Sequence, residues 1–175
     1  MSAPTRRPVK RPWWPKRCVL AWFGKRTSGT LPLPEQKQVE ASAKPRGAET
    51  IEQARERVMQ ELVGLAEAST NRSAAAMTAS GFALAIAGLL IGTGRPVSPT
   101  AVAIIGAVAL VAFYLALTGQ GFHVGKPAAR DINEDDLAEA LFSCENKEFY
   151  ALVAMTVAAV ALGAEVIAFI VSAFH

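Results

Sequence analysis

The sequence predicts an all-α membrane protein with three transmembrane helices, two cytoplasmic helical extensions and a disordered, basic N-terminal tail rich in Pro and Trp. Of the 175 residues, 51% are apolar, and the charges are segregated. Residues 1–72 carry 14 Lys+Arg and 7 Asp+Glu, whereas residues 73–118 contain only Arg95 and residues 149–175 only Glu165. The apolar stretches match the ~17–25 residues that cross a ~30 Å hydrocarbon core. These observations exclude a soluble globular enzyme, a disulfide scaffold and a disordered polyelectrolyte.

Residues 1–48 are the first predicted region, a disordered tail with seven prolines and no periodic apolar pattern. Its cations alternate with tryptophans, which is typical of segments that lie on an anionic membrane surface. Two alternatives stay open, namely a solvated tail that only sets the topology and a proline-rich ligand for a partner protein. The residues predicted to lie on lipid are Arg6, Arg7, Lys10, Arg11, Trp13, Trp14, Lys16, Arg17 and Trp22.

Residues 49–175 are the second predicted region, a three-span helical module. Thr50 and Gln53 have the spacing of a capping box, and an apolar stripe at three- and four-residue steps follows them. Since no proline interrupts the pattern, we predict one long helix over residues 49–91, with the first span at about 74–92. The stripe consists of Ile51, Ala54, Val58, Leu62 and Leu65.

The second span is predicted at about 100–118 and the third at about 151–174. A second cytoplasmic helix precedes the third span. Asn133 can cap this helix, and the acids at 134–136 suit the positive end of its dipole. Its apolar stripe, which contains Leu137, Leu141 and Cys144, predicts that the two helical extensions pack on each other.

Lys and Arg predict the orientation. Fourteen precede the first span, and three, Lys126, Arg130 and Lys147, lie between the second and third spans. Arg95 is the one basic residue between the first and second spans, and no Lys or Arg follows the third span. The positive-inside rule therefore predicts a multi-pass protein of the cell inner membrane, with its N-terminus in the cytoplasm and its C-terminus outside.

The sequence contains no motif for catalysis, a cofactor or a metal. His123 and His175 lack partners at metal-ligand spacing, and Cys18 and Cys144 are too far apart for a metal or disulfide framework. The segment at 24–27 ends like a phosphate-binding loop but lacks the preceding glycine. We therefore expect no enzyme activity, no cofactor and no metal, and the net charge of +3 gives no indication of nucleic-acid binding.

Glu165 is the intramembrane polar residue of the third span. It lies on a face of small residues at alternating three- and four-residue steps, about 15 Å below the outer surface. Such a face packs against another helix, because small side chains let backbones approach closely. Two interpretations stay open: a protonated side chain hydrogen-bonded within one bundle, and a polar group that meets its copies or lines water in an oligomer. Proton relay would require a second intramembrane acid or base.

Small residues recur in all three spans, which predicts helix packing and a homo-oligomer in the lipid bilayer. In the second span they are Ala109, Ala112, Ala116 and Gly119. The helix-packing residues predicted for the first and third spans are Gly81, Ala85, Gly88, Gly92, Ala154, Ala158, Ala161 and Ala168.

A polar step at 69–74 precedes the first span, and Lys147 shortly precedes the third. In this layout, residues 50–175 resemble the transmembrane effector module of Pycsar anti-phage systems. In that family the step contains an Asp-x-Lys-Ala-like element, whereas this chain has Asn71-Arg72-Ser73-Ala74. The resemblance implies a protein held inactive at the inner membrane. It also implies a signalling partner, a cyclase that makes a cyclic pyrimidine nucleotide, and an oligomer that breaches the membrane.

The topology and the stripe around Glu165 thus predict a self-associating membrane effector of an anti-phage or stress-signalling system. The alternative is a structural accessory subunit, which would use its small-residue faces to pack on a larger membrane complex.

Overall fold

The computed structural model of the chain describes residues 36–92, 98–124 and 132–173, and every regular element in these ranges is a helix. The predicted all-α class is therefore confirmed for the described residues. Most of the predicted tail and all of its predicted lipid-surface residues lie outside these ranges. The helices are α1 (Gln36–Ser42), α2 (Ile51–Gly92), α3 (Pro99–Gln120) and α4 (Glu134–Ala173).

Three of these helices, α2, α3 and α4, are long and apolar enough to cross a membrane. This confirms the prediction of three apolar helices compatible with a multi-pass membrane protein. Helix α2 has 42 residues, α3 has 22 and α4 has 40. At 1.5 Å per residue, α3 is about 33 Å long and matches the bilayer core, whereas α2 and α4 are about twice that length.

The start of α2 is the predicted capping box. The Thr50 amide donates to Gln53 Oε1 at 3.0 Å, and the Gln53 amide donates to Thr50 Oγ1 at 3.3 Å. Because these bonds satisfy two amides that the helix leaves unpaired, α2 begins at Ile51, two residues later than predicted. It then continues without a break to Gly92, as its lack of proline predicts.

The start of α4 has a similar reciprocal arrangement. The Asp136 amide donates to Asn133 Oδ1 at 2.8 Å, and the Asn133 amide donates to Asp136 Oδ2 at 2.9 Å. Asn133 is thus the predicted cap, and the carboxylates of the first turn lie at the positive end of the helix dipole. In α3, Pro99 occupies the first turn, where its missing N–H costs no intrahelical bond.

The chain divides into two compact units, and the division falls within α2 and α4. The described part of the first unit comprises residues 36–66, 123–124 and 132–146. Here the N-terminal parts of α2 and α4 share one apolar core, which is the packing predicted for the two extensions. The core consists of Val39, Val58, Met59, Leu62, Ala66, Ile132, Leu137, Ala140, Leu141 and Cys144.

Polar bonds at the edge of this core attach the connecting segments to α2. The Arg57 guanidinium binds both carboxylate oxygens of Glu49, at 3.1 and 3.2 Å, and donates to the Ser42 carbonyl at 3.0 Å. The Arg55 guanidinium donates to the Ile132 carbonyl at 3.0 Å. The Arg57 hydrogen bonds hold the pKa of the Glu49 carboxyl below its usual value, because they favour the charged form.

The second unit comprises residues 67–122 and 147–175, of which the structure describes 67–92, 98–122 and 147–173. Its three helices meet in layers of alanines. One layer contains Ala76, Ala116 and Ala154, and the next contains Ala83, Ala109 and Ala161. Between these layers the numbering advances by seven in α2 and α4 and decreases by seven in α3. Helices α2 and α4 are therefore parallel, α3 is antiparallel to both, and the period of seven is that of left-handed coiled coils.

Candidate functional site

The buried faces of α2, α3 and α4 in the second unit form a continuous surface between the helices, which we call the interior seam. Most of its side chains are Ala, Gly or Ser, so the helices can approach closely. The outward faces carry most of the bulky apolar side chains, as Phe82, Leu110 and Val160 illustrate. The buried residues of the seam are Ser69, Ser73, Ala76, Ser80, Ala83, Ala87, Leu90, Val102, Ala109, Ala112, Ala116, Gly119, Ala151, Ala154, Ala158, Ala161 and Glu165.

Glu165 is fully buried in this seam. Its relative exposure is 0%, and neither carboxylate oxygen has a hydrogen-bond partner among the described residues. Glu165 lies four residues after Ala161 in α4, so it belongs to the layer that follows the Ala83–Ala109–Ala161 layer. The same step leads to Ala87 in α2 and to Ile105 in α3, so neither facing position carries a polar side chain. The site is therefore a single carboxyl group in an apolar layer.

The sequence of α4 explains why Glu165 faces inward. Ala151, Ala154, Ala158 and Ala161 are each at most 1% exposed, and their three- and four-residue spacing continues to Glu165. Bulkier residues on both sides, such as Val166, face outward. Small side chains on one face thus bring α4 close to its neighbours along that face and enclose the carboxyl with it. Ala168, one step further, is half-buried.

Two serines of α2 are the other polar members of this apolar stretch. The Ser80 hydroxyl is fully buried and donates to the Ala76 carbonyl of its own helix at 2.8 Å. The Ser73 hydroxyl is also fully buried, but no hydrogen-bond partner for it occurs in the described part of the chain. The seam therefore contains two unsatisfied polar groups, the Ser73 hydroxyl and the Glu165 carboxyl, and each carries a desolvation cost.

Gly119 lies at a close approach of α3 to α4. A Cβ atom at this position would lie 2.9 Å from the Tyr150 Cβ and 3.5 Å from Ser73 Oγ. Because real Cβ atoms do not come this close, only glycine fits here without a shift of the helices. Ala109, Ala112 and Ala116 lie on the same face and are fully buried, which confirms that the predicted small-residue face of α3 is a packing face.

A charged cluster lies at one end of the seam, and we call its three residues, Ser69, Arg72 and Glu148, the polar clamp. The Arg72 guanidinium forms an ion pair with Glu148 Oε1, and the Ser69 hydroxyl donates to Glu148 Oε2 at 2.5 Å. The Glu148 side chain is only 8% exposed and that of Arg72 is 25% exposed. Both carboxylate oxygens are therefore satisfied, and the clamp joins α2 to α4.

Sequence reasoning did not identify the clamp. A usable signal exists, because Arg72 is the last charge before the first span and Glu148 is the last charge before the third. Because α2 and α4 are parallel, these two positions come to the same level of the bundle, where opposite charges can pair. Lys147, next to Glu148, is also buried, with 9% relative exposure.

The predicted packing residues of α2 lie on a different face from the seam. Gly81, Ala85, Gly88 and Gly92 are exposed. The face of α2 that packs within the chain instead carries the buried Ala76 and Ala83, which are seven residues apart. A Cβ atom added at Gly81, Gly88 or Gly92 would meet no atom within 4 Å. The packing of this second face against a copy of the chain stays a prediction.

The first unit contains an open groove of about 540 Å³. Val39, Leu137 and Leu141 form apolar parts of its wall, and its rim carries both cations and carboxylates. Arg55 on this rim is already bonded to Ile132 and to Glu134, the latter at 3.5 Å. The groove therefore does not select a ligand by one sign of charge. Its other lining residues are Glu40, Ala43, Lys44, Pro45, Ile51, Asp135 and Ala138.

No group of three His, Cys, Asp or Glu side chains within residues 36–92, 98–124 and 132–173 could hold a metal ion. Cys144 is buried, and its thiol contacts the Leu62 carbonyl at 3.2 Å. Cys18 and His175 lie outside the described residues. No family model, curated protein or solved structure matches the chain.

Proposed function

We propose that the chain is a non-enzymatic effector of the cell inner membrane that self-associates and perturbs membrane integrity in an anti-phage or stress response. One observation carries the proposal: Glu165 is fully buried, without a hydrogen-bond partner, in a seam of small side chains. A closed bundle with such a residue is poorly stabilised, and a rearrangement that hydrates Glu165 would remove the penalty.

The energy terms support this reasoning. A charged carboxylate at the centre of a membrane helix costs about 2.5–3.5 kcal/mol, and a neutral but unsatisfied polar group still costs about 1–3 kcal/mol. Within lipid no hydrophobic effect holds helices together, so packing must offset this cost. Alanine side chains such as Ala83 and Ala161 provide few packing contacts compared with leucine. The closed bundle is therefore held by the close approach of its helices, and the unsatisfied carboxyl works against it.

The second face of α2 supports self-association. Gly81, Gly88 and Gly92 lie on one side of the helix and leave open space around them within the chain. Gly88 and Gly92 form a G-x-x-x-G pattern, which allows two membrane helices to approach closely. We propose that copies of the chain meet along this face and form a homo-oligomer in the bilayer.

The distribution of Lys and Arg supports a cytoplasmic N-terminus and an outer C-terminus, with both helical extensions in the cytoplasm. In this orientation the basic, Trp-rich tail lies on the cytoplasmic side, where its charges and indoles favour contact with the anionic inner leaflet. The resemblance to Pycsar effectors adds a partner to the proposal, a cyclase whose cyclic pyrimidine nucleotide releases the closed state.

The proposal is tested by membrane potential and growth after induced expression in cells that also contain the genomic neighbours of the gene. Wild type should depolarise the cells, whereas Glu165→Ala should not, because the substitution removes the unsatisfied group and stabilises the closed bundle. Glu165→Gln keeps an unsatisfied polar group and should retain part of the activity. Val166 is the next residue and lies on the outward face of α4, so Val166→Ala is the matched control and should behave as wild type.

Purification in mild detergent separates the proposal from the alternative function. Recovery as a self-oligomer agrees with an effector. An undisturbed membrane potential in cells that express wild type contradicts the proposal, and constant recovery with one unrelated membrane complex would instead indicate a structural accessory subunit.

A further inference from the structure

Hydroxyl groups in the apolar part of α2 and α4 bond to their own helix on both sides, as Ser80 does in the seam. On the outward faces, the Thr78 and Thr156 hydroxyls each donate to the carbonyl four residues earlier, at 3.0 and 2.9 Å. The buried side-chain polar atoms that lack a hydrogen bond in the described part of the chain, Ser73 Oγ and both oxygens of Glu165, all lie in the seam. The surface hidden in the closed bundle is therefore the one that would gain most from contact with water.

The seam is also long enough to cross a bilayer. The part of the seam that α2 contributes from Ser69 to Ala87 is 18 helical steps long, or about 27 Å, which is close to the ~30 Å hydrocarbon core. If the helices separate, the small side chains leave space for water along this length. The bulky outward residues, such as Phe82 and Val160, can stay in lipid during the same movement.

Glu165 has no other charge beside it on this surface. Residues 73–92 of α2 and the whole of α3 contain no Asp, Glu, Lys, Arg or His, and Tyr114 of α3, 68% exposed, lies on the outward face. In α4, no other charged residue occurs from Phe149 to Ala173. Once water reaches this apolar part of the seam, the carboxylate of Glu165 sets the sign of its charge; at the clamp end, Arg72 is paired with Glu148 and Lys147 is buried.

We propose that the interior seam lines the ion pathway of the opened oligomer and that Glu165 makes this pathway selective for small monovalent cations. The inference rests on the proposed function and adds the conducted species and the lining surface. A ring of carboxylates, one from each copy, attracts cations and repels anions at close range. The seam hydroxyls of Ser73 and Ser80 then face the same water.

The test is the reversal potential of full-length protein reconstituted at high density in vesicles under a KCl gradient. Wild type should conduct, with a permeability to K⁺ about tenfold or more above that to Cl⁻. Glu165→Gln should still conduct but lose the selectivity, so its reversal potential should move toward zero. Val166→Thr places a neutral polar group on the outward face and should keep the wild-type reversal potential.

A second measurement places the pathway without altering Glu165. In a chain with Cys18 and Cys144 replaced by Ser, the variants Ser80→Cys and Thr78→Cys are treated with a charged, water-soluble thiol reagent. The two positions are matched, because each hydroxyl donates to the carbonyl four residues earlier, but Ser80 lies in the seam and Thr78 is exposed on the outward face. The reagent should block the current of the Ser80→Cys variant and leave that of the Thr78→Cys variant unchanged.

The outcomes separate the two proposals. If wild type carries no current either with or without a cyclic pyrimidine nucleotide, the proposed membrane-perturbing function is wrong, and the pathway is wrong with it. If wild type conducts but shows no cation selectivity, or if Glu165→Gln keeps the full selectivity, the pathway proposal is wrong while the effector function stands. Block of the Thr78→Cys variant with no effect on Ser80→Cys would place the pathway on the outward faces and overturn the proposal as well.

Discussion

Replacing Glu148 by Gln tests how strongly the polar clamp joins α2 to α4. The carboxylate accepts one bond from the Arg72 guanidinium and one from the Ser69 hydroxyl. Gln keeps the size of the side chain, but it presents one acceptor oxygen and one NH₂ group. Since both partners are donors, the NH₂ group must face one of them, and the guanidinium loses its counter-charge.

The expected loss in the free energy of unfolding follows from burial. Breaking a fully buried ion pair costs about 3–5 kcal/mol, whereas an exposed pair is worth about 0–1 kcal/mol. Glu148 is 8% exposed, but Arg72 is 25% exposed, so water can solvate part of the guanidinium that the substitution leaves behind. We therefore expect a loss of about 2 kcal/mol, or roughly a 30-fold change in the unfolding equilibrium constant.

The assay is unfolding by SDS in detergent micelles, followed by far-UV circular dichroism. Glu139→Gln removes an exposed acid of the same helix and should change the free energy of unfolding by less than about 0.5 kcal/mol. In a double-mutant cycle, Arg72→Gln combined with Glu148→Gln should cost less than the sum of the single variants. If Glu148→Gln is as stable as the Glu139→Gln control, the clamp does not hold the helices and the reasoning from burial fails.

Three further predictions concern other parts of the chain. Gly119→Ala should lose about 1–3 kcal/mol in the same SDS assay, because its Cβ would clash with the neighbouring helix. Gly163→Ala meets open space and should lose nothing, and equal stability of the two variants would contradict the close approach. Arg57 holds the pKa of Glu49 below its usual value, so Glu49 should stabilise the fold at neutral pH and lose this effect as pH falls through the lowered pKa; a Glu49→Gln variant with an unchanged acid limb in unfolding against pH would refute this. The buried thiol of Cys144 should react with a water-soluble thiol reagent about tenfold or more slowly in native micelles than in SDS, and equal rates would show that its core is open.

The elements of this fold are predictable because their signals are local. Thr50 and Asn133 satisfy helix amides within three residues of their own positions, so a single sequence shows both helix starts. The three apolar helices follow from the length of the uncharged stretches. The inward position of Glu165 agrees with the three- and four-residue spacing that begins at Ala151, because that spacing describes one helix face.

The packing face of α2 and the polar clamp depend on partners that the local sequence does not show. Gly81 and Gly88 lie on one small-residue face, and Ala76 and Ala83 lie on another, so residue size alone does not choose between them. The register with α3 and α4 makes this choice. Arg72 and Glu148 are 76 positions apart, and no local pattern relates them.

The composition of the seam argues for a bundle that is built to open rather than to stay closed. A membrane protein that only needed a stable bundle could fill its interior with interlocking leucines, which provide more dispersion contacts per helix turn than alanine does. Here Ala154, Ala158 and Ala161 occupy those positions, and Glu165 follows them without a partner. Glu165 lowers the stability of the closed form, and the alanines leave a narrow, wettable surface between the helices. If that reasoning holds, Ala161→Leu should disrupt the close packing of the bundle, whereas Glu165→Leu should stabilise it by about 1–3 kcal/mol, since it removes an unsatisfied group. Equal losses for both variants in the SDS assay would show that Glu165 has a partner in the closed state.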